Sequence, residues 1–253
     1  MITHKLNNLL NNTEHEDINH VIGKYIKKNL ESVCYMTIDE LAQATYVSQA
    51  KISKFIKTLG YENFIAFKDD CVHMLEVKKL VLQDQRINLG LSYPQHVQAS
   101  LEAIEENLLQ LDESIIEKLV YDISQADDIY LYGIAYSNML CQYFQYEGDF
   151  VDKKVIVIDE MVKRDYKMKE NSLLIMMSVD GHSLSYEHRG VRKILKYPVK
   201  KWLLTTSQIP SQSLELFDEA LVIPSQHADS KDRRMMVRYM IDVLIGRYQY
   251  LYK

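Results

Sequence analysis

The apolar residues change period part-way along this chain of 253 residues, and that change constrains the architecture more than any single motif. Up to about residue 126 they recur every three or four positions, as on one face of a helix: Ile18, Val21, Ile22, Tyr25 and Ile26, then Ile52, Phe55, Ile56 and Leu59. From Ile129 onward, short continuous apolar runs alternate with helical patterns. The runs span 129–132, 155–158, 173–178, 202–205 and 220–223, with helical segments such as 137–148 and 184–196 between them. Continuous apolar strands alternating with helices are what a parallel sheet covered on both faces requires. Residues 84–93, ending at Pro94, lose the helical period. The chain is therefore expected to divide into a helical domain, 1–83, a linker, 84–94, and an α/β domain, 95–253, that opens with helices near 95–110 and 112–126 and closes with one near 231–250.

Composition removes the competing classes. Eight Gly and four Pro are too few for a loop-rich all-β protein, and 47% hydrophobic with 26% charged residues is ordinary for a globular chain. The longest apolar run of the second half, Leu173–Met177, falls far below the ~20 residues of a membrane helix. The first residues, Met1-Ile-Thr-His-Lys, lead into an Asn-rich stretch without a signal peptide's apolar core, so a cytoplasmic location is expected. Three scattered cysteines, Cys34, Cys71 and Cys141, suit neither a disulfide framework nor a zinc finger. His182 with His188 and His15 with His20 lack metal-ligand spacing, so no metal and no cofactor are expected.

The net charge of −5 argues against nucleic acid, but its distribution argues for it. Residues 1–79 hold ten Lys and ten acids, so the rest of the chain carries the whole excess. No acid occurs between Glu40 and Glu62, where Lys51, Lys54 and Lys57 lie. Thr37-Ile-Asp-Glu40 has the form of a capping box and Ser48 can cap the next helix, which Gly60 ends. A longer helix, 63–83, follows, with Phe64, Phe67, Val72 and Leu75 expected inward. Two short helices joined at Thr45-Tyr-Val-Ser48 fit a helix-turn-helix, whose second helix meets base edges with its N-terminal residues. The expected DNA contacts are Ser48, Gln49, Ala50, Lys51, Ser53, Lys54 and Lys57. The lysines form a stripe opposite Ile52, Phe55 and Ile56; a solvated helix face has the same pattern. The fold class is thus an all-α helix-turn-helix domain followed by an α/β doubly wound parallel sheet.

In the second half, Asp127–Gly133 runs into Ile-Ala-Tyr-Ser137, a Gly-containing turn between strand and helix, where α/β proteins bind ligands. Ala135 replaces the second glycine of a dinucleotide fingerprint. Met177-Ser178-Val-Asp180-Gly181-His182-Ser183 and Thr205-Thr-Ser207 form two similar turns. Three hydroxyl-bearing turns on one sheet edge can converge on a ligand, although each alone is an ordinary βα turn. Glu187 and His188 follow the second turn as a solvated pair, so catalysis is not expected.

Residues 16–71 resemble the N-terminal domain of the RpiR family of bacterial transcription regulators. The resemblance rests on Glu16, Ile22, Tyr25-Ile26, Asn29, Thr37-Ile-Asp-Glu-Leu-Ala42, Val47-Ser-Gln-Ala-Lys-Ile52, Lys54-Phe55, Leu59-Gly-Tyr61, Phe64 and Phe67-Lys68. The family usually has Thr at the position of Lys51 and Arg at that of Lys54, so this chain lacks a planar bidentate donor to guanine. Residues 95–250 are similar to the sugar isomerase (SIS) domain of the same regulators, through Asp127–Gly133, Ser137, Ser178, Gly181 and Thr205, with Asn171 where an acid is commoner.

The resemblance implies a DNA-binding regulator of carbohydrate metabolism that is a dimer or tetramer and is not an enzyme, controlled by a phosphorylated sugar or related small molecule. The implied effector contacts are Ser137, Ser178, Asp180, Gly181, His182, Ser183 and Thr205. The family's phosphate loop reads I-S-x-S-G-x-T, so Asp180 stands where a phosphate-binding Ser is usual, and His182 can offset its charge. That leaves three outcomes: a less anionic effector, a phosphate held by other groups, or a pocket that binds nothing. An SIS-type sugar-phosphate isomerase is the alternative reading.

Overall fold

The computed structural model of the chain describes residues 2–85, 90–148, 153–158, 166–181, 184, 189–206 and 211–253. The chain divides into two compact units, Met1–Asp84 and Gln85–Lys253.

The first unit is built from helices whose ends are written in the sequence. Asp17 caps α2 (Ile18–Lys28) by accepting from Asn19 N at 2.6 Å. After a single turn, α3 (Leu30–Val33), come α4 (Ile38–Ala44), α5 (Gln49–Thr58) and α6 (Phe64–Gln85). Their inward residues, among them Ile22, Ile26, Leu41, Ile52, Phe55 and Phe67, form one core. An additional helix, α1 (Ile2–Asn11), lies where the sequence shows an Asn-rich stretch; Ile2 and Leu6, one turn apart, are buried in the same core. On α6, Val72 is exposed, contrary to expectation, and Cys71 is buried instead. Phe67 and Cys71 stand four residues apart on one face, and a single step turns Val72 outward.

The expected linker, 84–94, is shorter than its lost period suggests. Asp84 and Gln85 still belong to α6, and Tyr93 and Pro94 open α7 (Tyr93–Leu108); 86–89 lie outside the described residues. Gln95 Oε1 accepts from both the backbone N and the hydroxyl of Ser92, fixing the helix start, and Pro fits the first turn without losing a hydrogen bond.

The second unit continues with α8 (Glu113–Gln125), β1 (Asp128–Gly133), α9 (Tyr136–Glu147), β2 (Lys154–Val157), β3 (Leu173–Ser178), α10 (Arg189–Ile194), β4 (Lys200–Thr205), α11 (Ser211–Leu214), β5 (Glu219–Val222) and α12 (Ser230–Tyr252). The five strands are parallel in the order β2-β1-β3-β4-β5. Alternate residues cover opposite faces. Ile129, Leu131, Leu173, Ile175, Met177, Trp202 and Leu204 meet α7, α8, α9 and α12. Tyr130, Tyr132, Leu174, Met176 and Leu203 pack with Val191 and Ile194. On the first face, buried Asp122 of α8 accepts from Trp202 Nε1 at 2.8 Å and pairs with Lys200. No helix among the described residues is long and apolar enough to cross a membrane.

Candidate functional sites

In the first unit the candidate site is a nucleic-acid interface. Thr37 Oγ1 accepts from Glu40 N, and Glu40 Oε2 accepts from Thr37 N at 2.7 Å and from the Thr37 hydroxyl at 2.9 Å; the two bonds to the carboxylate hold it below the usual range. At the other end of α4, Val47 N donates to Ala42 O and Tyr46 N to Gln43 O, the two bonds of a Schellman motif. Its left-handed position is Tyr46, with φ 54°, instead of a glycine. The same pair of bonds closes α5, from Tyr61 to Ile56 and from Gly60 to Lys57, with Gly60 at φ 81°. Two tight stops on consecutive helices thus set the turn and the exit of the second helix.

Ser48 Oγ accepts from Lys51 N and starts α5. Ile52, Phe55 and Ile56 are buried, while Ser48, Gln49, Ala50, Ser53, Lys54 and Lys57 are exposed and Lys51 half-buried. No described residue pairs with Lys51, Lys54 or Lys57, so their charges face outward uncompensated. Tyr46, absent from the sequence expectations, is 96% exposed immediately before this face. Only its backbone conformation makes it conspicuous, and sequence does not report that.

In the second unit the carboxyl ends of β1, β3 and β4 lie side by side, with Gly133 opposite Met177 and Ser178 opposite Thr205. The chain leaves β1 through Ile134-Ala135-Tyr136-Ser137, closed by Ser137 N donating to Ile134 O. Ala135 has φ 55° and ψ −117°, the first central position of a type II′ turn, which glycine normally fills. Gly133 is required in turn: a Cβ there would stand 2.7 Å from the Ser137 carbonyl. Strand end and helix start therefore touch, and this contact delivers Ser137 to the edge.

Two of the expected hydroxyls, those of Ser137 and Thr205, hold backbone. Ser137 Oγ accepts from Val179 N at 3.2 Å, and Thr205 Oγ1 donates to Ser178 O at 2.7 Å. Thr206 Oγ1 donates to Val179 O. Ser178 Oγ is buried without a hydrogen-bond partner among the described residues. Val179 and Asp180 form a turn closed by Gly181 N donating to Ser178 O, with Gly181 at φ 67°. His182 and Ser183 lie outside the described residues.

Asp180 is balanced by a group the sequence reading missed. Its carboxylate accepts from Arg233 Nε at 2.8 Å, and Arg233 also donates to Ala228 O. Arg233 comes from the first turns of α12, whose start Asp229 caps by accepting from Lys231 N and Asp232 N. The neighbouring Arg234 lies over the Tyr136 ring at 4.8 Å, and its Nε is buried without a partner. Both arginines stand more than 50 positions beyond Asp180 in the chain, too far for spacing to link them.

Residues 3–74 match the model described as the helix-turn-helix domain of the rpiR family. An uncharacterized HTH-type transcriptional regulator of Clostridium perfringens is 27% identical over 132 residues, 49% of this chain and 46% of that protein. The chain thus matches less than half the length of that relative. A second such regulator, from Providencia stuartii, is 24% identical and aligns with 74% of this chain and 68% of its own. Among solved structures, the Vibrio vulnificus NanR protein complexed with ManNAc-6P covers the whole chain and 92% of its own at 18% identity and a TM-score of 0.52. Phosphoheptose isomerase GmhA from Neisseria gonorrhoeae covers 62% of this chain and 96% of its own at 14% identity and a TM-score of 0.50. At these identities the two structures establish the shared fold of the sheet unit alone.

Proposed function

We propose that this chain, whose N-terminal unit is a helix-turn-helix domain of the rpiR family, regulates transcription of carbohydrate metabolism genes by binding double-stranded DNA through α5 and a sugar or sugar-phosphate-like effector through the carboxyl edge of its sheet. The observation that carries the DNA reading is the outward lysine stripe of α5, without an acidic partner and framed by two Schellman stops. Lysine charges neutralise phosphates, while Gln49, Ala50 and Ser53 at the helix start are placed to meet base edges. One ten-residue helix offers few contacts, so the protein acts as a dimer or higher even oligomer that reads two half-sites.

The effector reading draws support from three strand ends meeting at one edge and from the NanR complex with a sugar phosphate, a protein of the same fold. Effector binding changes operator affinity only as far as the effector binds one arrangement of the oligomer more tightly than another. Catalysis is not part of this reading: the curated relatives are named as HTH-type transcriptional regulators, and the hydroxyls of Ser137 and Thr205 are bonded to backbone. Cytoplasmic residence follows from the proposed role.

The test is binding of the purified full-length protein to random-sequence duplex at graded salt. A steep loss of affinity with salt is expected. Absence of binding at low salt, together with isomerase activity on sugar phosphates, contradicts the proposal.

A further inference from the structure

Asp180 is a carboxylate at a sheet edge read above as an effector site, and its neighbours define what that edge can accept. Its side chain is 15% exposed and that of Arg233 17%, with 2.8 Å between Oδ1 and Nε. A second donor of Arg233, Nη1, is held by Ala228 O at 2.8 Å. Two backbone amides at the start of α12 are occupied as well, because Asp229 accepts from Lys231 N and Asp232 N. The protein's own carboxylates and a carbonyl thus occupy donors that could otherwise hold an anion, Arg234 Nε excepted.

Two hydroxyls and one cationic donor are left over. Ser178, at the end of β3, and Ser230, at the start of α12, are each 1% exposed, and their hydroxyls have no hydrogen-bond partner among the described residues; neither has Arg234 Nε. Buried polar atoms without partners are rare in folded proteins and mark places where a further group belongs.

Resting on the effector reading of this edge, we infer that Asp180 and Arg233 form an internal ion pair that excludes phosphorylated ligands, and that the edge takes a carbohydrate without a phosphate group. A dianion entering beside Asp180 meets a like charge at low dielectric. If it displaces Asp180 from Arg233 instead, it leaves a carboxylate buried and unpaired. The hydroxyls of an uncharged sugar incur neither cost. Asp180 is therefore a specificity determinant, and it acts by occupying Arg233.

The experiment is isothermal titration of full-length protein with inorganic phosphate and with glucose 6-phosphate, using wild type, Asp180→Ser, Asp180→Asn and the double variant Asp180→Ser/Arg233→Met. Removing the carboxylate is expected to tighten binding of both probes at least about tenfold over wild type, and the double variant is expected to lose that gain. Asp180→Asn keeps the shape and an acceptor for Arg233, so it carries the comparison if Asp180→Ser does not fold. Equal affinities for wild type and the single variants overturn the inference, as does a gain that survives Arg233→Met. Wild-type binding to random duplex is measured in parallel. Intact DNA binding with no gain in the variants overturns the role of Asp180 alone. Loss of DNA binding in the wild type overturns the regulator reading, and the phosphate comparison still decides the role of Asp180.

Discussion

Replacing Gly133 with Ala tests whether β1 and α9 meet as tightly as the sheet edge requires. The added Cβ would lie 2.7 Å from both the carbonyl C and O of Ser137 and 2.9 Å from its Cβ. Two of these are backbone atoms and cannot rotate away. Restoring ordinary contact near 3.4 Å moves the start of α9 by about 0.7 Å, and overpacking of this kind costs about 1–3 kcal/mol. The same movement draws Ser137 Oγ from Val179 N, already at 3.2 Å, and a lost buried hydrogen bond adds about 1 kcal/mol. The sum, about 2–4 kcal/mol, lowers the melting temperature of a unit of this size by on the order of 10 °C. Differential scanning calorimetry reads it directly, with the helical unit as internal reference because Gly133 belongs to the other unit. A midpoint within about 2 °C of wild type refutes the close approach of strand and helix.

Two further substitutions probe the same unit. Ala135→Gly is expected to stabilise by about 1 kcal/mol, since relief of a non-glycine φ of 55° exceeds glycine's added unfolded-state entropy; a lower melting temperature contradicts the type II′ assignment. Asp122→Ala strands the indole N–H of fully buried Trp202 and is expected to cost about 1–3 kcal/mol, while Asp122→Asn, which still offers an acceptor, costs less; chemical denaturation ranks the two, and the reverse order contradicts the Asp122–Trp202 bond.

Much of the fold is legible in the sequence because burial imposes a period. The five apolar runs lie within two residues of the observed strands, and the capping residues Thr37, Glu40 and Ser48 mark helix starts where the structure has them. What periodicity does not carry is position in space. The order β2-β1-β3-β4-β5 depends on which strands pair, and no local pattern states that. Helix α1 escaped notice because Asn residues disfavour helix locally, whereas Ile2 and Leu6 gain their stability only by docking into the core of the unit. Tyr46 and Ala135 occupy left-handed or mirror-image backbone without the glycine that would announce it.

The candidate sites divide in the same way. The lysine stripe is local to one helix, and its exposed face follows from the 3.6-residue period. The sequence offers neighbouring His182, outside the described residues, to offset Asp180; the structure supplies Arg233 from the far end of the chain, brought back by the fold of the sheet unit. A charge that looks anomalous in sequence is thus half of a pair.

The central claim is that α5 meets DNA through its outward lysines, and its most direct test is the salt dependence of duplex binding by wild type and by Lys51→Ala/Lys54→Ala. Each phosphate contact removed lowers the slope of log K against log salt by about 0.9, so the double variant is expected to bind more weakly with a slope shallower by about 1.8. Unchanged affinity and slope in a folded double variant contradict the claim.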